Sequence, residues 1–425
     1  MKLSRCSFMV GAALFLVRHA CFPQAATAVP FLLIPPSPEA NGMGGASSAF
    51  VSMHPMAPLE NAGQMGFFAM SNFMNAGIYA PPSHQIAGYD LPDLSYSTLA
   101  VNAGVNLHDL CHFPFPLSLG IGYARVSFDL GQFTLTSSAG PTAIGSFSSY
   151  ETSDNILFGA GVDYWVKLGF GVNYKIINSH LAPIGAESEQ GTGNAEVGAY
   201  DIGILLQIPV TGIATKLGAD FQILPGKTTP FLNLTLGYAK RNIGDGVLYV
   251  EGSQSDPLPR IAACGAGVEF GAESKMIACG WNLIDVVFTS EAEELLVTRY
   301  SDGTWAYLPG SGAIDFVDNV ILGESGDQIT HRKGWKVDIA EILSIRGGSV
   351  AGTLSDYSTA GFGIRLAGVL KLVSALGPDD PGGWAESLFT NIDVQYDYGK
   401  HEYFAAGQIS ESFSSIALVL KRIPF

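Results

Sequence analysis

Asn391-Ile392-Asp393-Val394-Gln395-Tyr396-Asp397-Tyr398 sets the reading of the whole chain. Successive side chains on a strand point to opposite faces, so Ile392, Val394, Tyr396 and Tyr398 form an apolar face against Asn391, Asp393, Gln395 and Asp397. The pattern recurs. Leu232, Leu234, Leu236 and Tyr238 oppose Asn233, Thr235 and Gly237; Ile202, Ile204, Leu206 and Ile208 oppose Asp201, Gly203 and Gln207. Phe362, Ile364 and Leu366 oppose Gly361, Gly363 and Arg365, and Leu217, Ala219, Phe221 and Ile223 oppose Lys216, Gly218, Asp220 and Gln222. Strands are predicted at 65–73, 95–106, 117–128, 154–164, 166–178, 198–209, 214–224, 229–240, 260–270, 276–287, 335–347, 358–372, 389–398 and 412–424. They number about 14, an even count as in bacterial single-chain barrels.

Composition narrows the class. The 425 residues are 47% hydrophobic and only 14% charged, with a mean hydropathy of +0.26. Soluble domains carry about 25% charged residues. No apolar run long enough for a helical span follows the N-terminus. A closed sheet with lipid against every second residue satisfies both facts, because a membrane accepts only helices and edge-free barrels. A secreted β-sandwich would also alternate, but Gly159, Gly161, Gly169, Gly171, Gly203, Gly218, Gly237, Gly361 and Gly363 all fall on the polar face. Glycine there leaves room for something inside a lumen, or permits strand coiling. Tyr164, Trp165, Tyr174, Tyr238, Trp281, Trp335, Tyr396 and Tyr398 collect near strand ends, where interfacial girdles sit.

Lys2 and Arg5, the apolar run Phe8 to Val17 and the Ala26-Thr27-Ala28 site read as a secretory signal over 1–28, with the mature chain starting near Val29. Lys2, Arg5 and Arg18 leave with it, taking the formal charge from −16 to −19. That balance argues against nucleic acid as a partner. Of the cysteines, Cys111, Cys264 and Cys279 remain. Cys264 and Cys279 flank a turn near Gly271-Ala272, and are read either as a disulfide or as two small residues on a lipid face. Residues 29–64 lack alternation and either dangle in the periplasm or fold into the lumen as a plug, which their small residues and Met favour, ahead of a barrel over 65–425. By strand parity the long segment 288–334 falls on the periplasmic side, unless a strand is miscounted or Val247 to Glu251 or Leu295 to Tyr300 are missed elements.

Gly42-Met43-Gly44-Gly45-Ala46, Ala49-Phe50-Val51 and Glu60-Asn61-Ala62-Gly63 resemble the opening motifs of the PorV/PorQ family of outer-membrane proteins, relatives of the FadL fatty-acid transporters. Gly334 to Val337, Ile345 to Gly348 and Ser358 to Ile364 resemble the family's late hairpin. The proline of the family's last opening motif is absent here, and Met53-His54-Pro55-Met56 stands where its acidic pair is usual. The resemblance implies an outer-membrane barrel of 14 strands with an N-terminal hatch. It implies either transport of hydrophobic small molecules or, alternatively, a type IX secretion role binding secreted proteins at the cell surface. Phe425 resembles the terminal aromatic through which barrel-assembly machinery recognises its clients.

Hatch and lumen candidates are therefore Gly44, Gly45, Phe50, Met53, Met56, Asn61 and Gly63, with an apolar pocket expected beside Phe50, Met53 and Met56. Asp163, Asn173, Lys175, Asp201, Lys216, Asp220, Arg365, Asp393 and Asp397 are expected on the lumen wall, lining an aqueous path or pairing with one another. No catalytic residue, metal or cofactor is expected. Ser179 and His180 are adjacent and point to opposite faces, so they form no dyad. His108, Asp109, Cys111 and His112 lie in a turn and read as structural or solvated.

Overall fold

The computed structural model describes residues 27–79, 95–137, 140–182, 193–223, 228–249, 255–274, 280–352, 356–376, 391–403 and 409–420. Residues 1–26 of the signal reading, Cys279 and Phe425 lie outside them. Fourteen antiparallel strands form one closed barrel. They are β1 Phe73–Tyr79, β2 Ser95–Asn106, β3 Leu117–Ser137, β4 Gly140–Asp163, β5 Lys167–Ala182, β6 Gly193–Pro209, β7 Thr228–Gly244 and β8 Ile261–Ser274. Then come β9 Trp281–Leu295, β10 Ile329–Ile339, β11 Leu343–Ala351, β12 Tyr357–Arg365, β13 Ile392–Tyr403 and β14 Ile409–Leu420. The ring closes where β1 pairs with β14, from Met74 opposite Leu420 to Tyr79 opposite Ser415.

Burial is inverted relative to a water-soluble protein. On β13, Asp393, Gln395 and Asp397 are 3%, 1% and 2% exposed, whereas Val394 and Tyr396 are each 38% exposed. On β1, Asn75 and Tyr79 are buried and Met74 and Ile78 are exposed. A sandwich would bury the apolar face; here that face coats the outside, as a lipid-spanning wall requires. An outward depression of about 550 Å³ lined by Leu119, Ile121, Phe158 and Phe170 belongs to that coat.

The total of 14 matches the sequence reading, but three of its strands are corrected. Residues 65–73 do not form the first strand. Gln64–Ala69 is a helix buried on every side, so its unbroken apolar run carries no two-fold alternation. Of the expected strand 214–224, the described residues 214–223 form none. Val210–Lys216 is a helix closed by Gly218 at φ +97, with Ala219 N donating to Ala214 O, a C-terminal glycine cap. The span 335–347 is two strands, β10 and β11, turned at Ala340 and Glu341, both with positive φ. Removing one false strand restores the parity. The connection 296–328 then lies at the same end as the β1–β2 connection, opposite to the expected side. Val247–Leu248 and Val297–Arg299 are short strands outside the barrel. Helices also occupy the other end, at Leu107–Cys111 and Leu366–Leu376.

Candidate functional site: the lumen and its internal segment

Residues 27–72 contact the inward face of the wall on all sides. They comprise a 3-10 turn Pro30–Leu33, helix α1 Pro38–Asn41, a second 3-10 turn Ala57–Leu59 and helix α2 Gln64–Ala69. α1 packs on β12 to β14, and α2 on β2 to β6. Between them Met43, Ser48 and Phe50 lie buried against β7 to β11.

The fit depends on glycine. A β-carbon at Gly237 would overlap the Ser48 carbonyl, one at Gly171 the Ala62 carbonyl, and one at Gly203 the Asn61 side chain. The inner wall is bare where the segment's backbone crosses it. Gly44 and Gly45 turn the segment with φ of +70 and +71, a conformation that side chains disfavour. Gly44 N donates to Thr359 Oγ1 at 2.8 Å. Asn61 Nδ2 donates to Ser48 O at 2.6 Å and to Ile204 O at 3.1 Å, while its Oδ1 accepts from Gly63 N. One side chain thus ties two parts of the segment to the wall. Gly218, expected on this inner face, instead ends the helix after β6.

Charge supplies the second attachment. Glu39 is 2% exposed and sits 3.5 Å from Lys336, 3.6 Å from Arg346 and 3.4 Å from Arg365. Ser52 Oγ donates to its other oxygen. Asp338 pairs with Lys336 at 3.0 Å and with Arg365 at 3.8 Å, and Asp397 with Arg346 at 2.5 Å. At 3.8 Å or less the wall's Lys336, Arg346 and Arg365 thus meet Asp338 and Asp397 and, from the segment, Glu39. Burial alone would raise the Glu39 carboxyl; Lys336, Arg346 and Arg365 outweigh it and hold it well below the usual carboxylate range. His54 is lowered, by burial first, and bonds Ser415 Oγ at 3.0 Å.

A second cluster holds the turn at residues 44–48. Glu293 pairs with Arg241 at 2.6 Å and Arg332 at 2.9 Å, Arg332 donates to Gly44 O, and Glu291 accepts from the amides of Ser47 and Ser48. Glu60 lies close by, 4% exposed, with one oxygen lacking any hydrogen-bond partner. Burial pushes its carboxyl up to about 7.

The expected wall residues divide. Arg365, Asp393 and Asp397 are inside; Lys175 pairs with Asp201 at 2.9 Å and Asn173 donates to Asp201. Asp163 is instead exposed at the rim beside Lys167, and Lys216 ends the helix after β6, donating to Tyr164 O. Asp220 lies in the coil beyond. The alternation that put Lys216 and Asp220 inward belonged to a strand that does not form. Glu39, Glu60, Arg346, Glu291 and Glu293 were not singled out, although Glu291 and Glu293 continue the polar face of β9 past residue 287.

The expected apolar pocket is corrected too. Met56 is packed solid among Phe31, Leu59, Phe73 and Tyr79. Phe50 lies under Lys336 Nζ, 5.0 Å from the ring centre. The open space beside Met53, about 340 Å³, is walled by Asp285, Lys336, Arg365, Lys371 and Asp393 at the end away from the β1–β2 connection. The apolar interior lies elsewhere, in a buried cluster that includes Phe31, Tyr79, Tyr96, Val126, Leu157 and Ile177. Ser179 faces inward onto Glu151, while His180 stacks on Tyr150. Cys264 is a free thiol. It packs near Ala292 and Val320 on the outward face, under the π-helix Phe316–Ile321. Among the described residues no group of three or more His, Cys, Asp or Glu could hold a metal ion.

No family model matches the chain, and no curated protein matches it. Among solved structures it is similar to the Pseudomonas putida toluene transporter TodX, with 12% identity over 89% of this chain and 95% of that one, TM-score 0.38. It is similar to the CymD monoaromatic hydrocarbon channel at 12% identity over 92% and 98%, TM-score 0.40. It is also similar to LpxR from Salmonella typhimurium at 10% identity over 82% and 100%, TM-score 0.32. Likenesses this distant carry no argument about activity.

Proposed function

We propose that the chain is an outer-membrane barrel that passes hydrophobic small molecules and is closed at rest by its own N-terminal segment, which acts as a plug. The observation that carries this reading is the apolar interior. Tyr79, Tyr96, Val126, Leu157, Ile177 and Phe413 belong to one buried cluster with Phe31 of the segment, whose ring stacks on Phe128. An apolar molecule that displaced residues 29–34 would exchange one apolar filling for another. It would then leave toward the charged space beside Met53, where water could take part. Every strand pairs with both neighbours around the ring, β1 with β14 included, with local register shifts such as that between Tyr200 and Ile202; the path proposed runs along the lumen axis.

The test loads liposomes containing the barrel with a naphthylamine fluorophore that brightens in apolar sites. Faster entry with wild type than with empty liposomes, slowed by Leu157→Arg on the lining, supports transport. Entry at the empty-liposome rate contradicts it. The alternative, a PorV-like receiver of secreted proteins, rests on the resemblance at residues 42–63. It predicts that gentle cross-linking in cells captures secretion partners through residues 129–153, the paired ends of β3 and β4.

A further inference from the structure

Asp285, on β9, lines the space beside Met53 and is 8% exposed. Among the described residues it forms neither a hydrogen bond nor an ion pair, and its Oδ1 is buried without a partner. Its neighbours across the sheet add to the cost. Asp338 of β10 stands directly opposite it, and Glu269 of β8 lies diagonally across, opposite Val287. All three line the same space, and like charges directly opposite one another are destabilising.

The cations on this space are committed elsewhere. Lys336 and Arg365 each pair with Glu39 and Asp338, and Lys371 pairs with Glu341. Two other acids have neutral donors. Asp393 accepts from Ala367 N and Gln395 Nε2, and Glu269 Oε2 accepts from Gln207 Nε2 at 3.0 Å and Asn233 Nδ2 at 2.7 Å. Asp285 has neither cation nor donor. Leaving a carboxylate buried and unpaired is costly, and here the unpaired group borders a space that a ligand can enter.

What Asp285 lacks defines the ligand: positive charge together with N–H donors. An alkylammonium supplies both, with three donors and no acceptor. Among the described residues no group of three or more His, Cys, Asp or Glu could hold a metal ion. The space, about 340 Å³, has room for a short-chain amine, and Val51 and Met53 of the internal segment with Val287 and Ile392 of the wall offer apolar surface to its chain.

We propose that Asp285, with Glu269 beside it, binds the ammonium group of a small organic amine in the space between the internal segment and β8 to β10. The site goes beyond the transport reading and does not rest on it, since an amine can bind here whether or not apolar molecules pass.

The experiment uses the full barrel in nonionic detergent, at low salt and near-neutral pH. Saturation-transfer NMR reads binding against protein-free micelles. The probes are butylammonium, tetramethylammonium (charge without donors) and 1-butanol (the same chain without charge). Butylammonium should titrate to saturation, with the other two binding at least about tenfold more weakly. Asp285→Asn, close in size, should weaken butylammonium at least about tenfold while leaving the β-sheet circular dichroism unchanged. No saturable butylammonium signal from wild type overturns the site, and that arm needs no variant. Equal binding of tetramethylammonium or 1-butanol overturns recognition by charge and donors together. Displacement of butylammonium by magnesium chloride, but not by sodium chloride of equal ionic strength, assigns the space to a metal ion and overturns the amine. Undiminished binding to Asp285→Asn overturns the role of Asp285. Liposome entry of the fluorophore is read separately, so either proposal can fail while the other stands.

Discussion

At Glu39 three cations converge on one buried carboxylate, and the balance is legible residue by residue. Lys336, Arg346 and Arg365 each lie within 3.6 Å of Glu39 and also pair with Asp338 or Asp397 on the wall. Removing one partner of a buried pair costs about 3–5 kcal/mol. Glu39→Gln should therefore weaken docking of the segment by about that amount, read as faster proteolysis of residues 29–72 in the native barrel. Unchanged resistance would contradict the assignment. Glu60 predicts a pH effect. Its carboxyl moves from 4.5 to about 7 on burial, so the folded state keeps a proton that the unfolded chain releases above pH 4.5. Docking then weakens as pH rises from about 4.5 to about 7, by about 3 kcal/mol in total, and changes no further above. Thermal unfolding across that range should lose this slope in Glu60→Gln.

Among the elements, alternation revealed most strands and misjudged three stretches for physical reasons. β13 and β12 were readable because one face meets lipid and the other the filled lumen. The stretch 214–224 shows the same alternation but has no neighbouring strand to pair with, and Gly218 ends a helix there instead. Residues 65–73 lack alternation because α2 is buried all round. The turn at Ala340 and Glu341 carries no glycine or proline, so β10 and β11 read as one. The plug candidates Gly44, Asn61 and Gly63 were visible as a motif, whereas Glu39 was not, since its partners are some 300 residues away in sequence. The bare inner face yields an element-scale prediction. Gly237→Val or Gly171→Val should push the segment off the wall while leaving the ladder intact. Amide exchange of residues 46–66 should rise while that of β5 and β7 holds; equal loss in all three would mean that the glycines serve strand coiling.

For the whole molecule, the inverted burial, the filled lumen and the two charge clusters combine into the account proposed above: a membrane barrel that we propose is closed by a segment its wall holds by fit and by ion pairs. Its central claim is closure by residues 29–72. Single-channel conductance in planar bilayers tests it most directly, comparing wild type, Glu39→Gln and a barrel lacking 29–72. The account predicts no steady current for wild type, intermittent openings for Glu39→Gln and a steady open channel without the segment. A wild-type current as large and steady as that of the barrel lacking the segment would contradict it.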